Sequence, residues 1–83
     1  MRYRPVFSDS AVWFFISLPR RRQLKLLDRA QELAADPFLI PDFRSQDDEG
    51  RDISHVLVDA FLFSYWADHA ARAVMIVDIE EGE

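Results

Sequence analysis

The chain has 83 residues, 49% of them hydrophobic, with no cysteine, two histidines and a net charge of −5. That length is one domain over residues 1–83, near the lower limit of what folds alone around one small core. Without cysteine there is no disulfide framework and no thiolate metal site, and two histidines do not make a multi-histidine site, so neither metal nor cofactor is expected.

A cytoplasmic protein is the natural reading of a cysteine-free chain. The longest apolar run, Ala11 to Ile16, falls far short of the ~18 residues of a membrane span. The basic start, Met1 to Pro5, is not followed by the apolar segment and cleavage site of a signal peptide. Charge divides along the chain. Residues 1–35 carry seven basic and three acidic side chains, whereas residues 36–83 carry three basic and twelve acidic ones. The acidic half repels phosphate backbones, which argues against direct nucleic-acid binding except through the basic half.

Tyr3 to Phe7 reads as a short strand, and Pro5 places it at a sheet edge or a bulge, because proline cannot donate to the ladder. Ser8 is a helix cap, and Asp9 favours the positive end of the helix dipole. A helix over Ala11 to Ile16 ends before Pro19, since Leu18 is pushed out of helical space.

A second helix runs from Arg20 to Ala35. Leu26, Leu27, Ala30, Leu33 and Ala34 form its apolar stripe, with Arg21, Lys25, Asp28 and Glu32 opposite. Asp36-Pro37 ends it. The short link makes the two helices an antiparallel hairpin.

Phe38 to Gly50 reads as a loop punctuated by Pro41 and Asp47-Asp48-Glu49. Its Phe38, Leu39, Ile40 and Phe43 are too apolar for free solvent and are expected against the core or a partner. Three strands follow: Asp52 to Val58, Phe61 to Ala67 and Arg72 to Ile79. Their short turns, Asp59-Ala60 and Asp68 to Ala71, require antiparallel neighbours. Phe61, Phe63 and Tyr65 share one face. In the last strand Val74, Ile76 and Asp78 oppose Ala73, Met75, Val77 and Ile79. Both sheet faces carry apolar residues, so the face away from the helices is a candidate binding surface. Glu80 to Glu83 forms an acidic tail.

The expected architecture is therefore an α+β two-layer fold, β-α-α-β-β-β, with a helix hairpin on a mainly antiparallel sheet. This order resembles the RelE/ParE toxin superfamily. "YRPVFSDSA" (Tyr3 to Ala11) is similar to that family's opening strand and first helix. Leu18-Pro19 is similar to its interhelical "lp", and "LAADP" (Leu33 to Pro37) to its L-x-x-x-P helix ending. "DAFLFSYWAD" (Asp59 to Asp68) and "AVMIVDIEE" (Ala73 to Glu81) resemble its central and closing strands. The resemblance covers nearly the whole chain.

It implies the toxin of a type II toxin–antitoxin pair, held by the C-terminal segment of a cognate antitoxin and acting on gyrase or the ribosome. A ribosome-dependent mRNA endoribonuclease and a non-toxic binding module are the alternatives. The family's ribonucleases carry an arginine after the aromatic that opens the central strand, basic residues on the preceding strand and after the last one, and often a C-terminal tyrosine or histidine. Here the corresponding places hold Leu62, His55 and Glu80-Glu81. Carboxylates repel a phosphate instead of stabilising it.

His55, Arg51 and Tyr65 are the only candidates left for catalysis, and each has a plain structural role open to it. His55 suits a half-buried strand position and Tyr65 the core, with its hydroxyl satisfied. Arg51 can make local ion pairs with Asp48 and Asp52. Trp13 and Trp66 are assigned to the core, and His69 to a solvent-facing turn. The basic cluster Arg20, Arg21, Arg22, Lys25 and Arg29, with Phe38 and Phe43, is the candidate partner surface. A homodimer is also open. The net acidity reverses the usual toxin balance. It implies a partner segment that is basic or mostly apolar, or one that docks on the helix hairpin.

Overall fold

The computed structural model describes residues 2–81, so Met1 and the tail's Gly82 and Glu83 lie outside the described residues. Strand β1 (Arg4–Phe7) leads into helices α1 (Asp9–Ile16) and α2 (Arg20–Ala35), followed by β2 (Phe43–Gln46), β3 (Asp52–Val58), β4 (Phe61–Asp68) and β5 (Ala73–Glu81). The strands form one sheet in the order β1-β5-β4-β3-β2. β1 runs parallel to β5, and the other pairs are antiparallel. The two-layer architecture is the expected one, and β1 with its Pro5 is an edge strand.

Ser8 caps α1, its hydroxyl accepting from the Ala11 amide at 3.1 Å. The same hydroxyl donates to the Val77 carbonyl at 2.7 Å, which pins the start of α1 to β5. Pro19 stands outside the first turn of α2, as its missing amide allows. The helices are tied where they meet by Gln23 Nε2 donating to the Phe15 carbonyl at 3.2 Å. Leu26, Ala30, Leu33 and Ala34 are buried as the stripe requires, but Leu27 is exposed because it sits at the stripe's margin. Trp13 also stays out of the core: α1 turns Ala11, Phe14 and Phe15 inward and leaves Val12, Trp13 and Ile16 exposed.

The segment 38–50, expected as a loop, contains the strand β2. All four of its residues are exposed, so it has no apolar alternation by which a sequence could reveal it. It forms by pairing with β3, after a tight turn in which Asp47 Oδ1 accepts from the amides of Glu49 and Arg51. Gly50 supplies the positive φ that closes this turn. The apolar loop does not tuck into the core: Phe38 is 75% and Ile40 84% exposed.

The β3–β4 connection is a two-residue turn with positive φ at both Asp59 (51°) and Ala60 (69°). This is the backbone that matches strand twist in tight hairpins. It pairs Val58 with Phe61, Val56 with Phe63 and Ser54 with Tyr65. Between β4 and β5 the register shifts: Ser64 pairs with Asp78, but Tyr65 pairs with Ile76. Val77 is the extra residue, a β-bulge.

The bulge overturns the simple alternation expected for this strand. Beyond it the parity changes, so Ile79 joins Val74 and Ile76 in the core. Glu80 and Glu81, expected in a tail, lie inside β5. The core forms between the helices and one sheet face, around the fully buried Phe61 and Phe63.

Candidate functional site

Residues paired across strands share a face, so the register reads out the sheet surface away from the helices. One row holds Leu57, Leu62 and Glu80. The next holds Phe43, His55 and Ser64. A third brings Met75 beside Trp66 on one side and Val6 on the other.

His55 is the polar centre of this face. Its Nδ1 lies 2.9 Å from the Ser64 hydroxyl and its Nε2 2.7 Å from the Ser45 hydroxyl. A neutral imidazole has one donor and one acceptor nitrogen, so one serine donates to the ring and the other accepts from it. Phe43 stacks on the ring at 4.4 Å with an interplanar angle of 9°. Both nitrogens are engaged and one ring face is covered, which leaves the imidazole held in place with no free nitrogen. The β3–β4 turn length alone sets His55 opposite Ser64. Ser45 and the Phe43 stack lie on β2, for which the sequence carries no signal.

Arg51 lies over Trp66, its guanidinium carbon 4.3 Å from the ring centroid. Its ion pairs are local, but with Asp47 (3.5 Å) and Glu49 (3.3 Å) in place of the expected Asp48 and Asp52. Trp66 is thus a half-buried residue of this outer face and not part of the core.

Tyr65 is on the other face, paired with Ser54 and Ile76 and packed in the core. Its hydroxyl, expected to be satisfied, forms no hydrogen bond among the described residues. Burial pushes its ionisation above the ordinary value. Asp36 and Asp42 act in the same direction, with Arg44 opposing. The structure therefore does not bring His55, Arg51 and Tyr65 to one point.

The basic cluster of α2 divides in two. Arg22 reaches Glu81 at 3.0 Å and lies over the Phe61 ring at 4.9 Å. Arg29 bridges Glu32 at 3.0 Å and Asp59 at 3.1 Å. Both are counter-ions within the fold. Arg20, Arg21 and Lys25 are exposed and form no ion pair among the described residues. The two helices also leave Val12, Trp13, Ile16 and Leu24 exposed.

His69 is exposed as expected, but it is not idle. Its Nδ1 lies 2.6 Å from the Tyr3 hydroxyl, and Phe38 stacks on its ring at 5.1 Å.

On the outer face Leu57, Leu62 and Glu80 stand in one row, two apolar side chains and a carboxylate. An RNA phosphate there would meet apolar surface and a carboxylate in place of the donors that steady developing charge. Among the described residues, no helix is long and apolar enough to cross a membrane.

No protein-family model and no curated protein sequence matches the chain. Solved structures do. A chain of the toxin–antitoxin complex RelBE2 of Mycobacterium tuberculosis superposes with a TM-score of 0.77 at 17% identity, over 98% of this chain and 92% of that one. The archaeal RelE–RelB complex of Pyrococcus horikoshii gives 0.71 at 15% identity, over 98% and 96%. The isolated RelE toxin of Escherichia coli gives 0.72 at 13% identity, over 100% and 86%. At these identities the likeness is one of architecture, and the chain has the α+β fold of the RelE toxins.

Proposed function

We propose that this chain is the toxin of a type II toxin–antitoxin pair, neutralised by a cognate antitoxin, and that it acts on gyrase or the translation machinery without the usual ribonuclease groups. The second half is supported by Leu62 and Glu80, which the resemblance sets at places where the family's ribonucleases carry basic residues and which pair side by side on the outer face, next to Leu57. The likeness in fold to an isolated toxin and to toxin–antitoxin complexes supports the first half.

The partner surface in this reading is the helix layer. Exposed Val12, Trp13, Ile16 and Leu24 give it apolar area, and Arg20, Arg21 and Lys25 give it unpaired cations. Arg22 and Arg29 contribute less, because they are already paired.

Induction of the chain alone in a bacterial host tests the reading. Growth should stop, and co-expression of a small DNA-binding protein encoded beside it should restore growth. Normal growth at confirmed soluble expression leaves only a non-toxic binding module. Mapping mRNA 5′ ends should give no new codon-aligned ends, and their appearance would favour a divergent ribonuclease instead. DNA breaks with an SOS response select gyrase as the target. Arg21→Glu with Lys25→Glu should weaken the complex, and unchanged affinity would exclude the helix layer.

A further inference from the structure

Three side chains from three strands stand in line on the outer face: Ser45 on β2, His55 on β3 and Ser64 on β4. The Ser45 hydroxyl lies 2.7 Å from His55 Nε2, and His55 Nδ1 lies 2.9 Å from the Ser64 hydroxyl. The two ends of the line differ. Ser45 is exposed on the edge strand, whereas Ser64 is buried. Phe43 lies flat on the imidazole, so the ring is fixed at one face as well as at both nitrogens.

An accessible hydroxyl within hydrogen-bond reach of an imidazole, itself oriented through its other nitrogen, is the arrangement that activates a serine nucleophile. With the Nδ1 proton donated to Ser64, Nε2 is left as the acceptor for the Ser45 proton. The surroundings select the electrophile. Phe43, two residues before Ser45, and Leu57, two residues after His55, share the face and are exposed, which offers apolar surface to an acyl group. Glu80 on the same face and the chain's net charge of −5 disfavour an anionic phosphate. An uncharged carbonyl carries no such penalty.

We propose that Ser45 is a nucleophile for small uncharged acyl esters, with His55 as its base and Ser64 as the residue that positions the imidazole. The Ser45 Oγ bonds to the ester carbonyl carbon as its proton passes to Nε2. The bond from that carbon to the alcohol oxygen breaks, and the alcohol leaves with the proton. Water then gives a proton to Nε2 while its oxygen bonds to the acyl carbon. The Ser45 Oγ departs with that proton, and the carboxylic acid is released. This activity needs neither an antitoxin nor a ribosome, so it goes beyond the function proposed above.

The test is reaction of the full chain with p-nitrophenyl acetate, followed by nitrophenolate release and by mass spectrometry of tryptic peptides. Trypsin cuts after Arg44 and Arg51, and Ser45 is the sole hydroxyl residue between those cuts. Acetyl-Ser45 should form about 100-fold faster than in His55→Gln, the scale of a general base. It should also outpace acetylation of exposed Ser17, whose hydroxyl donates to the Phe14 carbonyl instead of an imidazole. Ser45→Ala should abolish the adduct and slow nitrophenolate release. Ser64→Ala should slow acetylation, and Ser64→Thr, which keeps the hydroxyl, should restore it.

An adduct confined to His55 or Lys25, equal acetylation of Ser45 and Ser17, or an unchanged Ser45 rate in His55→Gln would each overturn the proposal. The comparison of Ser45 with Ser17 needs no variant, and Ser45→Ala changes an exposed edge position. Neither depends on how well His55→Gln folds.

Discussion

One sheet serves two unlike environments. On the helix side Phe61 and Phe63 are fully buried, and Val56, Val74, Ile76 and Ile79 close around them. On the outer side the same strands present a histidine held between two serines, an arginine over a tryptophan, and Leu57 at 48% exposure. Alternate residues of one strand therefore do different work. Phe61, Phe63 and Tyr65 build the fold, whereas Leu62, Ser64 and Trp66 define what the surface can bind. The lesson is that the outer face is free to change its chemistry without changing the fold, and here it has an apolar and acidic character.

The widest test of that contrast uses adjacent residues. Phe63→Ala should cost about 3–5 kcal/mol in a urea melt, because it opens a cavity that the core cannot collapse into. That is a large share of the ~5–15 kcal/mol available to a small domain. Leu62→Ala, one position away, should cost about 1 kcal/mol or less. Similar losses at both positions would mean that the outer face is covered in solution.

The next largest effect belongs to the polar centre of the outer face. His55→Ala strands the Ser64 hydroxyl, whose residue is 7% exposed. It should cost about 1–3 kcal/mol, the penalty for a buried group left unpaired. Adding Ser64→Ala should recover part of it, and a double-mutant cycle measures the coupling. Additive losses would show that the two side chains do not interact.

A smaller gain is expected at the hairpin that joins the two strands. Ala60 holds a φ of 69° that favours glycine. Ala60→Gly should therefore stabilise the chain by about 0.5–1 kcal/mol in the same melts. A loss there would mean that the turn is not the tight left-handed one.

The smallest effect is a pH dependence. The folded chain holds the Tyr65 proton more tightly than the unfolded chain, whose phenol titrates near 10.0. Tyr65's contribution is complete below that pH and is lost as pH rises past it. The fall in stability above pH 10 should be shallower in Tyr65→Phe than in the parent. Equal slopes would show that burial leaves the phenol unshifted.

Much of this was legible in the sequence. Ser8, Pro19 and Asp36-Pro37 bracket both helices because capping and proline sterics are local. The β3 and β4 strands follow from alternation, and the two-residue turn at Asp59-Ala60 dictates their pairing. Three features escaped for physical reasons. β2 exists only through β3, since none of its residues is buried. The Val77 bulge, which moves Ile79 inward, depends on how β5 meets both β4 and the Ser8 hydroxyl. Trp13 carries the composition of a core residue, but α1 is too short and too narrowly seated to bury more than one side.

The sequence by itself therefore determined the element types, the antiparallel order of β3 to β5, and the absence of cations at Leu62 and Glu80. Those follow from periodicity, turn length and residue identity. Only the tertiary structure decided that Arg22 and Arg29 are counter-ions while Arg20, Arg21 and Lys25 form no ion pair among the described residues. It also decided that His55 is held between Ser45 and Ser64, and that Tyr65 lines a groove with Ser54, Trp66 and Arg44. These are pairings between residues distant in the chain, set by register and packing, which no local pattern records.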